Sequence, residues 1–317
     1  MSTASYNCPC CCGGPLKFSG ESGKLECTAC GNNYEPEALE MMTPEESIDE
    51  ITFANDAKRF DTGEAGMRAY FCKNCGAELM ADETAAAECP YCGSPTILPD
   101  RIEGGVKPEK VIPFVVTKEQ AQKQFEDYFK GKKLLPNVFL NSRNRISEMR
   151  RLYIPYWLFS CDACADMVYD AEKVHTEQKG EWEITRTKHY LVRRRGGMRF
   201  ENIPVDGSIK IDDKLTESLE PYDLSAAIPF QSAVLAGAMA DHADADCDAC
   251  EKRAVERSVE QTMLDTVRDY DTVSERSRRI IAERGSPTPA LLPVWLMTTV
   301  KEGKTYTFAV NVQTGKL

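Results

Sequence analysis

The chain has 317 residues, 42% apolar and 28% charged, an ordinary globular composition with room for one sizeable core and about two domains. No apolar run approaches the ~18–20 residues of a membrane-spanning helix, and the opening "MSTASYNCPC" lacks both the basic and the apolar part of a secretion signal; no membrane segment is expected within residues 1–317, and a cytoplasmic location is. The formal net charge of −11 is uneven: residues 1–100 hold six Lys or Arg against seventeen Asp or Glu, while the rest hold 33 of each sign.

Twelve of the fourteen cysteines fall into C-x-x-C pairs, which in a reducing compartment read as metal ligands before disulfides. "CPCCCGGPLKFSGESGKLECTACG" has fifteen residues between the pair Cys8 and Cys11 and the pair Cys27 and Cys30, and "CKNCGAELMADETAAAECPYCG" has thirteen between Cys72 and Cys75 and Cys89 and Cys92. A C-x-x-C turn aims two thiolates at one ion, and a hairpin return brings the second pair to complete a tetrahedral S₄ shell. Gly31, Gly76 and Gly93 each follow a pair, where a residue tolerant of φ > 0 lets the backbone turn toward the sulfurs. Two zinc ribbons are expected, each too small for a core of its own and dependent on metal for its fold. The first knuckle carries four cysteines, Cys8, Cys10, Cys11 and Cys12; the two-residue gap favours Cys8 with Cys11.

The stretch between the ribbons is acidic and poor in large apolar residues. It reads as a linker with one short helix opened by a capping box at Thr43, Pro44 and Glu46. Ribbons that bind nucleic acid need a Lys/Arg surface. These are acidic before any metal, and each Cys₄ zinc site adds about −2 on deprotonated ligands, so a protein partner is favoured over DNA or RNA.

Past residue 100, "VIPFVV" (111–116) reads as a short strand. Thr117 then opens an amphipathic helix as N-cap, with Gln120 at N3, apolar Ala121, Phe125, Tyr128 and Phe129 on one side, and Gly131 as its stop. "LYIPYWLF", "ADMVYDAEKVHTE" and "EWEITRTKHYLVRRR" read as strands, with "QKGE" a hairpin turn. A helix is expected over much of 247–268, with Ala254, Val255, Val259, Met263 and Val267 at helical spacing. "LLPVWLMTTV" and "TYTFAVNV" close the chain as another strand pair. The expected fold is two N-terminal zinc ribbons followed by an α+β domain with antiparallel sheet. The segments are ribbon 1 at 1–38, an acidic linker at 39–66, ribbon 2 at 67–100 and the α+β domain at 101–317. "IPYWLF" and "LPVWLM" share P-x-W-L, which leaves open a plan of two similar halves. The basic runs 143–151 and 192–200 are expected to pair with the acidic N-terminal module.

"CDAC" occurs twice, as Cys161/Cys164 and Cys247/Cys250. The second pair, spaced i and i+3 in the first turn of a helix, would share a face near a dipole that favours thiolate. The first follows a strand, where that spacing splits side chains between faces, so a bend after Phe159 or Ser160 is required. With it, the four could close a third zinc site, with His242 as a spare ligand; without it, they are separate cysteines.

"CGGPLKF…GKLECTACG", "YFCKNCGAEL…CPYCGSP", "YIPYWLF", "IPVDGS", "LLPVWLM" and "FAVNVQTGK" together resemble, across nearly the whole chain, a family of gut-bacterial TFIIB-type zinc ribbon-containing proteins. Members are sometimes labelled primosomal helicase or replication factor. The resemblance implies zinc ribbons before a second domain and carries no activity with it. The chain departs from the family in the extra cysteines of "CPCCCGG", in Val312 where Gly is expected, and in ending on "QTGKL" where members tend to continue. A helicase label fails on the residues: the G-K-T at Gly303–Thr305 has Thr298 where a P-loop needs Gly. There is no H-E-x-x-H, G-x-S-x-G or dinucleotide fingerprint. A calcium loop from Asp244 would need Gly at Ala249 and Glu at Val255. A non-enzymatic zinc-binding interaction or adaptor protein is expected; the alternatives are a nucleic-acid-associated zinc-ribbon factor and a thiol redox protein.

Overall fold

The computed structural model describes residues 8, 15–40, 48–52, 57–60, 68–81, 88–94, 97–100, 105–129, 149–283, 287–301 and 304–316. Two compact units emerge, neither continuous in sequence: Met1–Ile51, Ala163–Met198 and Val259–Ala282 form the first, and Thr52–Asp162, Arg199–Ser258 and Glu283–Leu317 the second. This division differs from the four consecutive segments expected, because two long strands and one helix each contribute to both units.

The first unit begins with β1 (Leu16–Ser19), β2 (Lys24–Cys27) and β3 (Asn33–Tyr34), an antiparallel sheet of three strands. A short helix, α1 (Pro36–Glu40), follows, and then β4 (Ile48–Thr52). The capping box at Thr43 lies outside the described residues. Part of the expected linker is a strand: β4 pairs with β13 (Thr272–Glu283). This unit also holds the distal hairpin of β9 (Arg150–Lys179) and β10 (Trp182–Asp206), turning at Gly180, whose φ of 68° suits a residue without Cβ.

The second unit holds the main sheet. β5 (Arg68–Cys72), β6 (Glu78–Ala81), β7 (Ile97–Asp100), β8 (Lys110–Val111), β11 (Ile228–Pro229), β12 (Met239–Asp241), β14 (Thr288–Lys301) and β15 (Lys304–Asn311) join the proximal part of β9. The order is β11-β8-β14-β9-β12-β6-β5-β7, with β15 beside β14 and β10 beside β9. Most pairings are antiparallel, as expected, but β12 runs parallel to β9 and β8 parallel to β14, so the sheet is mixed at these two places. β8 is shorter than "VIPFVV" promised: Pro113 has no N–H to extend a ladder, and beyond Val111 the segment buries Ile112 instead. The two P-x-W-L segments are antiparallel neighbours on β9 and β14, Pro155 opposite Leu291 and Trp157 opposite Pro289.

Among the described residues, three α-helices accompany these strands. α2 (Lys118–Phe129) starts on a reciprocal capping box, Thr117 N–H donating to Gln120 Oε1 at 2.8 Å and Gln120 N–H to Thr117 Oγ1 at 3.4 Å. It buries Ala121 and Phe125 against Trp295, Met297 and Val310. Tyr128, expected on that face, is exposed, and Gly131 lies outside the described residues. α3 (Asp213–Leu219) is capped by Asp212, which accepts from Lys214 N–H. α4 (Cys247–Asp265) buries Ala254, Val255, Val259 and Met263, as their spacing implied.

Candidate metal centres

Three of the C-x-x-C knuckles share one backbone turn. In each, the glycine after the pair has φ near +70° and its N–H donates to the carbonyl of the first cysteine: Gly31 to Cys27 at 2.9 Å, Gly76 to Cys72 at 2.8 Å and Gly93 to Cys89 at 2.9 Å. The first cysteine's N–H returns to the residue beyond the turn, Asn32, Ala77 or Ser94. This turn places both thiols of a pair on its concave side.

Cys72, Cys75, Cys89 and Cys92 bring four sulfurs within 4.8 Å of one another, and Cys8, Cys27 and Cys30 bring three. Cys11, the expected fourth ligand of the first group, lies outside the described residues, as do Cys10 and Cys12. The Sγ–Sγ separations Cys72–Cys92, Cys75–Cys89 and Cys8–Cys30 are each 3.6 Å. A disulfide would bring sulfurs to about 2 Å. A tetrahedral ion with bonds of about 2.3 Å sets its ligand sulfurs about 3.8 Å apart. The clusters thus have the dimensions of sites for a single ion.

The second cluster is the more enclosed. Cys72 and Cys89 are fully buried in the same apolar cluster as Ile154, Leu292 and Val294. Burial pushes the Cys75 thiol up to about 11 and Cys89 higher still. At Cys92 burial acts the same way, but hydrogen bonds from Asn74 and the Ser94 backbone outweigh it and bring the thiol to about 7. Cys75 and Cys89, so raised, resist ionising until a cation arrives to share the charge.

Residues that sequence reasoning missed anchor both sites. The Tyr34 hydroxyl lies 3.2 Å from Cys8 Sγ. In the second, Tyr91, between Cys89 and Cys92, donates its hydroxyl to Asp241 Oδ2 at 2.5 Å. Ser208 donates to the same oxygen at 2.5 Å, and His242 N–H to Oδ1 at 3.0 Å. Thr298 Oγ1 donates to the Pro90 carbonyl at 3.1 Å. Nothing local in the sequence pairs Tyr91 with residues so far along the chain.

The two CDAC motifs do not assemble as the third site would require. β9 continues through residue 160 without the bend, so Cys161 is buried and Cys164 exposed on the other face. Cys247 and Cys250 do sit in the first turn of α4, but Cys161, Cys247 and Cys250 are not gathered within 4.8 Å of one another. Cys250 instead donates to the Asp206 carbonyl at 3.4 Å. The dipole does not make them thiolates: burial, then Cys250 and Glu251 nearby, push Cys247 up to about 12, and burial pushes Cys250 up to about 11 against the pull of Arg253. Burial, with Asp162 and Glu251 nearby, also raises Cys161. His242 packs against Gly105, where an added Cβ would meet its Nε2 at 2.6 Å.

Among the described residues, three arginines of the basic run 192–200 pair with carboxylates of the neighbouring strand, where the acidic N-terminal module was the expected partner. Arg193 is bidentate on Asp166 at 2.7 and 2.6 Å, Arg195 reaches Asp166 at 3.0 Å, and Arg199 is bidentate on Asp162 at 2.6 and 3.1 Å. From the run 143–151, Arg150 does pair with an acidic residue of ribbon 2, Glu88; residues 143–148 lie outside the described set. Among the described residues no helix is long and apolar enough to cross a membrane.

The chain is 34% identical over 316 residues to a Bacillus subtilis (strain 168) protein named "Uncharacterized protein YdjG", covering 99% of this chain and 88% of that one. No family model matches the chain, and no solved structure matches it.

Proposed function

We propose that this chain, which belongs to the family of the Bacillus subtilis protein YdjG, is a non-enzymatic zinc-binding protein that works as an interaction or adaptor module. The observation that carries this reading is the 3.6 Å spacing of paired sulfurs inside clusters of cysteine alone. Four thiolates suit zinc, and a site whose four positions are all filled by protein has none left for water or substrate. Such an ion maintains shape; it does not catalyse. On this reading Cys11 completes the first site, and the two clusters are the zinc ribbons that the resemblance to TFIIB-type zinc ribbon-containing proteins implies.

Two other readings are weaker on specific grounds. A nucleic-acid role through the ribbons meets the charge of residues 1–100, six cations against seventeen carboxylates, which opposes the counterion-release drive for binding. A thiol redox role needs an accessible thiolate, and Cys247 and Cys250 are buried with their thiols pushed up. The eleven described cysteines are free of disulfides, in keeping with a reducing cytoplasm.

The test is metal quantitation on the full chain purified under reducing conditions. Two zinc ions per chain are expected, one lost in Cys27→Ser and the other in Cys72→Ser. Iron in place of zinc, or fewer than two ions in the unsubstituted protein, overturns the assignment.

A further inference from the structure

In the second unit a groove of about 590 Å³ opens beside the N-terminus of α2 and the start of β9. Among the described residues, three cations line it, Lys118, Arg150 and Arg151, against one carboxylate, Glu88; Met149, Met239 and Trp295 supply apolar wall. The lining thus carries a surplus of two positive charges in a chain whose net charge is −11.

The cations are arranged with different constraints. Arg150 is tied to Glu88, so that pair is largely compensated internally. Arg151 is exposed, yet its guanidinium lies 5.3 Å from the Phe114 ring centre and 5.5 Å from that of Trp295. Those two rings pack edge to face at 5.6 Å, and the indole N–H donates to the Val116 carbonyl at 2.9 Å. A guanidinium resting on so fixed a platform has given up part of its rotamer freedom before any ligand arrives, and its planar fork suits a carboxylate or phosphate. Lys118 adds a point charge at the first position of α2, where the helix dipole also favours an anion.

We propose that this groove binds a small organic anion, a carboxylate or phosphate monoester carried on an apolar body. Its volume lies within the range of pockets for small ligands, and methionine walls adapt to varied apolar shapes. A polyanion is a poorer fit. At physiological salt the screening length is about 8 Å, so a small ion inside the groove meets mainly the local positive surplus. A long one would extend over the acidic remainder of the chain.

The test uses the full-length, metal-loaded protein and isothermal titration with phenyl phosphate and benzoate, which separate the two anion types. Phenol and inorganic phosphate serve as the apolar and the charged half alone. We expect one of the two organic anions to bind with Kd of about 0.1–1 mM, at least about tenfold tighter than either half. Arg151→Gln and Lys118→Gln should each weaken binding about fivefold or more, with metal content and circular dichroism unchanged; Arg151→Lys, which keeps charge but loses the planar fork, should recover only part. Phenol binding as well as phenyl phosphate, inorganic phosphate binding as well as either organic anion, or the Arg151→Gln/Lys118→Gln double variant binding normally would each overturn the proposal. So would an oligothymidylate that competes at the groove and binds more tightly than the small anions.

Discussion

Ribbon 1 builds its sheet from β1, β2 and β3 alone, whereas in ribbon 2 the strand β6 hydrogen-bonds to β12, with Leu79 opposite Asp241 and Ala81 opposite Met239. The described knuckles, at Cys27, Cys72 and Cys89, match in turn geometry, and the two clusters match in sulfur spacing. What differs is the surroundings. Cys30 is exposed, while Cys72 and Cys89 lie inside the principal apolar cluster of the second unit. The same local code therefore sits in a separate three-stranded sheet in one place and at an edge of the main core in the other. The difference comes from the strand that each hairpin meets.

The largest expected effect follows directly. Cys72→Ser should cost the second unit about 5 kcal/mol or more, since a structural ion's binding energy is folding energy. Amide exchange should then lose protection at β12 and at residues 150–162. Cys27→Ser should leave those amides unchanged. Equal losses in the two variants would break the comparison.

Next in size is the anchor of ribbon 2. Asp241→Ala leaves the hydroxyls of Tyr91 and Ser208 without their buried acceptor and should cost about 2–4 kcal/mol in urea unfolding with zinc in excess. Tyr34→Phe in ribbon 1 tests the corresponding partner there. It should weaken zinc at the first site about tenfold in chelator competition, the lower end for loss of a group that orients a ligand, and leave the second site's affinity unchanged.

The smallest effect is one of pH. Loss of solvent pushes Asp241 from the ordinary 3.8 up to about 6, against the pull of its Ser208 and Tyr91 hydrogen bonds. A raised folded value means that the native state holds the proton more tightly than the unfolded one. The resulting stability is complete below about pH 4 and is lost as pH rises through 6. Asp241→Asn does not titrate. Its stability relative to the unsubstituted protein should therefore improve by about 1 kcal/mol between pH 5 and pH 7.5, and paired denaturation curves at constant zinc would read this. No change, or a change of opposite sign, would mean that the carboxylate is ionised throughout.

The contrast between the ribbons also separates what was legible in the sequence from what was not. The C-x-x-C-G turns, the Thr117 capping box and the hairpin at Gly180 are local devices, complete within a few residues, and each stands where the sequence placed it. The repeated CDAC misled because identical spelling says nothing about context. One copy lies in a strand that passes straight through it and splits its cysteines between faces; the other begins a helix. Strand continuity there is decided by β9's neighbours, not by residues 161–164. Likewise "IDEIT" has no strong strand pattern of its own and becomes β4 by pairing with β13. Tyr91 has no signal of its own in the sequence, since its partners Asp241 and Ser208 are brought to it by the fold.

The link from Tyr91 to Asp241 spans 150 residues, and that from Pro90 to Thr298 spans 208. During synthesis at about 5–20 residues per second, the first of these anchors reaches ribbon 2 roughly 8–30 s after the knuckle itself has been made. Ribbon 1 has no such wait: its described ligands and its Tyr34 partner all lie within the first 34 residues. In the interval, ribbon 2 has only its own four sulfurs to keep an ion, while Leu79 and Met80, buried in the finished molecule, have yet to be covered by β12. A shortage of metal during translation would therefore fall hardest on the ribbon whose docking comes last, and it would do so with newly made hydrophobic surface exposed.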